Sequence, residues 1–369
     1  MRSPAAVLSV VSICLVAAVV AAAEGAEPAT AERAVELYDA GRYAEAGEIL
    51  ERLEAEGKLD GGLIYRLYYC RRQANDPRAT ETLSRSIEPL EREAAGAKTL
   101  EPSFYLVNAY QNLGRRAEML EAARNATRRV ETGALDEPAT GLERFRLGKL
   151  YADSDNPEQA ERWFRSAIDS FDLAADASNA AYDRWASGYL ADAAFAREDY
   201  VAAAQYYGRL VERGEPTTTG LDRLATARAR AGLYQEAGKA WRQAELLDPA
   251  NANRARYCYR LAEAAARLPG VSAAAPDGRL WTQLSADELT RTMQEQAAAV
   301  KAVHERIEAA KPLDQEERSR FRTELEQARP VFVAAALEFA LQGHNIRETA
   351  FFGGYAPLIF HDRSWQVPP

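Results

Sequence analysis

The chain has 369 residues and a formal net charge of −9, from 46 basic and 55 acidic side chains. That balance, with no basic stripe and no interleaved aromatic platform, excludes a nucleic-acid binder held by phosphate contacts. Hydrophobic residues make up 47% of the sequence, and their helical spacing predicts an all-α chain with ample apolar surface for a continuous core.

Residues 1–23 begin Met1-Arg2, continue as an apolar run from Ala5 to Val20, and end Ala21-Ala22-Ala23. A basic start, a run too short to span a bilayer and an A-x-A ending predict a secretory signal peptide that is cleaved, with a retained anchor as the alternative. Cys14 is not a lipoprotein site, because Ile13 before it is too large and cleavage there would leave an apolar start. The mature chain is therefore expected in the periplasm. It keeps only Cys70 and Cys258, which sit among aromatic residues far apart along the sequence and are predicted to be small core residues, not a disulfide.

From 24 to 268 the sequence repeats itself. The junction between two helices recurs at Gly41-Arg42-Tyr43-Ala44-Glu45-Ala46, at Ala74-Asn75-Asp76-Pro77 and at Leu113-Gly114-Arg115-Arg116-Ala117-Glu118. It returns at Asp155-Asn156-Pro157-Glu158-Gln159-Ala160, with Phe164 and Ala167 behind it, and at Glu198-Asp199-Tyr200-Val201-Ala202-Ala203, with Tyr207 behind it. The fullest copy is Thr218 to Asn251: Leu221, Leu224 and Ala225 in the first helix, the turn Ala231-Gly232-Leu233-Tyr234, then Ala237, Trp241 and Ala244 before Pro249. Small residues let two helices approach, the tryptophan fills the remaining gap, and the proline ends the unit. Units begin near 27, 61, 100, 141, 184 and 218, so the spacings are 34, 39, 41, 43 and 34 by subtraction. The longer middle spacings predict longer loops at 95–98, 132–138 and 174–179. Residues 253–268 add one capping helix.

This pattern resembles the tetratricopeptide repeat (TPR) family, whose period is about 34 residues. The resemblance implies a solenoid of helix–turn–helix units whose first helices line a concave groove for a peptide or partner helix. Carried onto this chain, the groove candidates are Tyr65, Tyr69, Arg72, Phe104, Asn108, Asn112, Lys149 and Trp185, with Asp153 and Asp192 beside them. Tyr65, Tyr69 and Trp185 serve equally well as packing between repeats. Asn108, Asn112 and Lys149 resemble part of a carboxylate clamp, but Phe104 stands where a second lysine belongs, so an apolar or mixed peptide is the better expectation.

Residues 269–284 are a turn-rich linker. Ser285 with Glu288 and Asp314 with Glu317 form capping boxes that start two helices. One carries Leu289, Met293, Val300, Val303 and Ile307 on a single face, the other Phe321, Leu325, Ala328, Phe332 and Phe339, and together they predict an antiparallel hairpin over 285–345. Pro330 is expected to kink or divide the second. The segment 346–369 is uncharged from Thr349 to Phe360 and rich in aromatics. It either closes the hairpin core or meets a partner through Phe351, Phe352, Tyr355, Phe360 and Trp365.

No catalytic constellation emerges. His304, His344 and His361 lie in no metal-ligand spacing, and Gly61-Gly62 and Gly353-Gly354 lack the strand and lysine of a phosphate loop. Neither enzymatic activity nor a cofactor is expected, and no small-molecule substrate is evident. The composite reading is a periplasmic scaffold or adaptor that binds another cell-envelope protein. An accessory of a TonB/ExbB/ExbD-type energy-transduction or outer-membrane transport system is the alternative. Enzyme or chaperone activity in the C-terminal domain is a third, weaker one.

Overall fold

The computed structural model describes residues 30–174, 179–214, 216–250, 253–310 and 312–345. The expected signal peptide and the aromatic C-terminal segment lie outside them. Within the described residues the chain is all-α, with fifteen α-helices and no strand beyond an isolated bridge between Ala274 and Leu280. It divides into two compact units between Ser178 and Asn179.

The first unit holds four helix pairs: α1 (Ala31–Asp39) with α2 (Tyr43–Ala55), α3 (Gly61–Gln73) with α4 (Ala79–Gly96), α5 (Glu101–Asn112) with α6 (Arg116–Glu131), and α7 (Gly141–Asp153) with α8 (Pro157–Ala174). Each helix packs on the next in sequence. In addition α1 touches α3, α3 touches α5 and α5 touches α7, with no comparable contact between successive second helices. First helices that touch while second helices splay put α1, α3, α5 and α7 on the inner side of the array. Side-chain caps start three of these four. Thr30 accepts from Arg33 N, Asp60 accepts from Leu63 N, and Thr140 with Glu143 closes a capping box. Gly148 of α7 marks a close approach within a pair, since a Cβ there would lie 2.8 Å from the ring of Phe164, which is fully buried.

The second unit continues with α9 (Ala180–Ala196) and α10 (Tyr200–Glu212), α11 (Thr218–Arg230) and α12 (Tyr234–Leu247), then a single α13 (Asn253–Arg267). A hairpin of α14 (Ala286–Ala309) and α15 (Gln315–Leu341) follows, and α15 packs on α13. Capping boxes at Ser285–Glu288 and Asp314–Glu317 start the two hairpin helices. Their apolar faces, including Leu289, Met293, Val300, Val303, Ile307, Phe321, Leu325 and Phe332, are buried in one core shared with the repeats. The turn-rich connection joins that core: Trp281, in a short 3-10 turn, is buried, and its indole N–H donates to Ser272 O at 2.8 Å. α15 runs through Pro330 undivided. Arg230, at the end of α11, pairs with buried Glu338 of α15 at 3.0 Å. Cys70 and Cys258 are both free thiols in the interior, and burial pushes them up to about 11 and about 12.

One backbone device sets all six helix pairs. At every junction the residue after the first helix's cap adopts a positive φ: Gly41 (74°), Asn75 (54°), Gly114 (72°), Asp155 (64°), Glu198 (61°) and Gly232 (77°). The next residue's amide then reaches back five positions, as in Arg42 N to Leu37 O (2.8 Å), Asp76 N to Arg71 O (2.8 Å) and Leu233 N to Arg228 O (2.8 Å). This is the Schellman closure, which satisfies the last helical carbonyls and reverses the chain into the second helix. Glycine serves three junctions, and Asn75 and Asp155 are the residues that tolerate the left-handed region best after glycine. Glu198 has no such excuse. Glu198→Gly should therefore raise stability by about 0.5–1 kcal/mol, the steric relief exceeding the added chain entropy. Urea unfolding checks it, as a higher midpoint at unchanged slope.

Candidate functional site

The inner side of the first unit gathers an aromatic and arginine-rich surface. Helices α3, α5 and α7 begin at 61, 101 and 141, so equal steps along them form columns across the face. The fifth residues are Tyr65, Tyr105 and Phe145, and the sixth residues include Arg66 and Arg146. Tyr65 stacks on Tyr105 with ring centroids 4.8 Å apart. Glu101 Oε1 sits between the arginines, accepting from Arg66 Nη2 at 3.0 Å, Arg146 Nη2 at 2.7 Å and Tyr105 OH at 3.0 Å. Arg66 also lies over the Tyr105 ring at 4.9 Å and the Tyr38 ring at 5.7 Å, and Arg146 over Phe104 at 5.7 Å. These are cation–π distances.

The electrostatics follow from that packing. Burial pushes the Glu101 carboxyl up, but the guanidiniums of Arg146 and Arg66 and the hydroxyl of Tyr105 outweigh it and hold the group below its ordinary value. Asp39, at the end of α1, goes the other way. Partial desolvation outweighs the attraction of Arg66 and Arg146, and nearby Glu101 adds repulsion, so its carboxyl titrates above its ordinary value although the residue keeps solvent contact.

Toward the C-terminal ends of the inner helices the surface opens. Tyr38, Tyr43 and Tyr69 meet edge to face with centroids 5.1–5.6 Å apart, a favoured aromatic geometry. Tyr69 is half-buried and Arg72 beyond it is exposed. Arg72 Nη1 donates to Tyr68 OH at 3.2 Å and Asn112 Oδ1 at 3.0 Å, and Asn112 Nδ2 donates to Asn108 O at 2.7 Å. Lys149 Nζ donates to Gln111 Oε1 at 3.1 Å and Asp153 Oδ2 at 2.6 Å.

The sequence-derived candidates thus fall into three groups. Tyr69, Arg72, Phe104 and Asn112 lie at the inner surface with part of each side chain accessible. Tyr65, Asn108 and Lys149 are on the same helices but only 7%, 8% and 8% exposed, packed between repeats. Trp185 belongs to the second unit, where it is 44% exposed and lies parallel to Tyr189 at 6.1 Å. Phe351, Phe352, Tyr355, Phe360 and Trp365 are outside the described residues. Arg66, Glu101, Tyr105 and Arg146 were not among the candidates. Their signal was the column itself: starting the third unit at 100 in place of 101 rotates its helix assignment by about 100° and hides the match of Tyr105 to Tyr65.

Among the described residues no group of His, Cys, Asp and Glu is placed to hold a metal ion, and no helix is long and apolar enough to cross a membrane.

No family model and no curated protein matches the chain. Solved structures similar to it include the APC/C hetero-tetramer Cut9–Hcn1 (16% identity, TM-score 0.41, covering 64% of this chain and 42% of that one). Others are the C-terminal part of a TPR repeat-containing protein from Cytophaga hutchinsonii (16%, TM-score 0.31, 86% and 96%) and the apo form of the quorum sensor NprR from B. thuringiensis (14%, TM-score 0.43, 90% and 95%). The chain spans less than half the length of the first. At such scores these likenesses carry no argument, and the helix-pair solenoid rests on this chain's own geometry: six helix pairs closed by one repeated turn with small residues at their contacts.

Proposed function

We propose that this chain is an exported, non-catalytic scaffold that binds another cell-envelope protein through the inner face of its first unit. The observation that carries the reading is the open end of that face. There the half-buried Tyr69 and the exposed Arg72 and Asn112 stand on helices whose remaining inner side chains are locked into one another. Buried neighbours pre-organise such a surface, so a partner loses little entropy in ordering it. Export is supported by the signal-peptide pattern of residues 1–23.

Affinity capture from detergent-solubilised envelope tests this, comparing the full chain, a chain ending at Asn345 and the double variant Tyr69→Ala/Arg72→Ala. The full chain and the shortened chain should retain the same partner, and the double variant should lose it with helix content unchanged. A partner that survives the double substitution removes the inner face from the function. Loss from the shortened chain together with retention by the double variant moves the binding site to residues 346–369.

A further inference from the structure

Arg72 differs from the other arginines on and beside this surface. Arg66 and Arg146 share Glu101, and Arg71 is held by Glu51 and Glu54 at 3.3 and 2.6 Å. Arg72 has no carboxylate partner among the described residues. Both of its hydrogen bonds leave from Nη1 and both go to neutral oxygens, Tyr68 OH and Asn112 Oδ1. Two fixed acceptors hold the guanidinium plane, while Nε and Nη2 form no hydrogen bond among the described residues and the residue is exposed. The Nε–Nη2 edge is the fork that a carboxylate meets with two parallel hydrogen bonds. Beside it stands the Tyr38–Tyr43–Tyr69 cluster.

Resting on the protein-binding reading above, we infer that the partner segment is acidic and aromatic. An Asp or Glu carboxylate docks on the open edge of Arg72, and an adjacent aromatic or large aliphatic side chain packs on the three tyrosines. Charge complementarity selects this occupant, because among the described residues Arg72 stands without a carboxylate partner next to an apolar platform, whereas Arg66, Arg146 and Lys149 are each paired with a carboxylate.

A heptapeptide phage library panned on the immobilised full-length chain tests the inference without knowledge of the partner. Enriched sequences should place Asp or Glu next to Phe, Tyr, Trp or Leu. A synthetic copy should bind the wild type and lose at least about tenfold in affinity on Arg72→Gln, less on Arg72→Lys, and weaken in about 0.5 M salt. Circular dichroism checks that the exposed substitutions leave the fold intact. Enrichment of neutral or basic peptides that depend on Tyr69, or an acidic peptide that binds Arg72→Gln as tightly as the wild type, overturns the acidic preference while the binding reading stands. Failure to enrich any peptide overturns both.

Discussion

Trp241→Ala should cost the second unit about 3–5 kcal/mol, the range for truncating a fully buried large aromatic. Trp241 has no exposed surface, and the residues around it at Ala225, Ala237 and Ala244 are too small to collapse into the space it leaves. Its loss is also polar. The indole N–H donates to Asp222 Oδ1 at 3.0 Å, while the other oxygen of that carboxylate takes the guanidinium of Arg254 from α13. The ring therefore both fills the contact between α11 and α12 and satisfies the group that ties α13 to them. Trp241→Phe separates the two roles. It keeps much of the volume, removes the donor, and should cost about 1–2 kcal/mol beyond the lost volume. Urea unfolding of the three proteins measures both effects. A loss below about 1 kcal/mol for alanine would mean that the core is not packed as described.

Removing the carboxylate at the centre of the inner face has the second large effect. Glu101→Ala leaves Arg66 and Arg146, whose side chains are only 8% and 13% exposed, without their shared counter-ion. Breaking a fully buried pair costs about 3–5 kcal/mol, and the 36% exposure of the Glu101 side chain reduces the expectation to about 2–3 kcal/mol. The pH dependence has a definite sign. Glu101 titrates below its ordinary value of 4.5 in the fold, so its contribution is complete above that value and is lost as pH falls through the folded one. The gap between wild type and Glu101→Gln should therefore close on strong acidification. Asp39 has the opposite sign. Its folded value is raised above the ordinary 3.8, so its ionised form disfavours the fold at neutral pH and protonation relieves that penalty. Asp39→Asn should be at least as stable as wild type at neutral pH, with the two converging in acid. Unfolding midpoints of the three proteins across that range check both signs, and a parallel offset for Glu101→Gln at all pH values would exclude the ion-pair account.

How far the repeats could be read from sequence differs by element. The units at 141 and 218 declare themselves because Phe164 and Trp241, with the small residues opposite, are the contact itself. The junctions at Asn75 and Gly114 look weak as sequence, yet they close with the same backbone geometry as the rest. A Schellman turn requires one residue that tolerates positive φ and asks little of its neighbours. At Pro330 the sequence allows a kink or a division, and the structure removes only the division. A proline inside a helix removes one hydrogen bond, and the buried face around it, from Phe321 to Phe339, keeps α15 continuous.

The division between sequence and tertiary structure follows from the range of the interactions. Helices, caps, turns and the inward face of each helix come from neighbours within about one turn, and such short periods are written in the order of residues. The Glu101 cluster joins side chains 35 and 45 positions apart. Whether Tyr65 packs or Arg72 stays open depends on the exact register between successive inner helices. A one-residue shift turns a side chain by about 100°, enough to exchange a groove position for a buried one, and only the packed first unit sets that register.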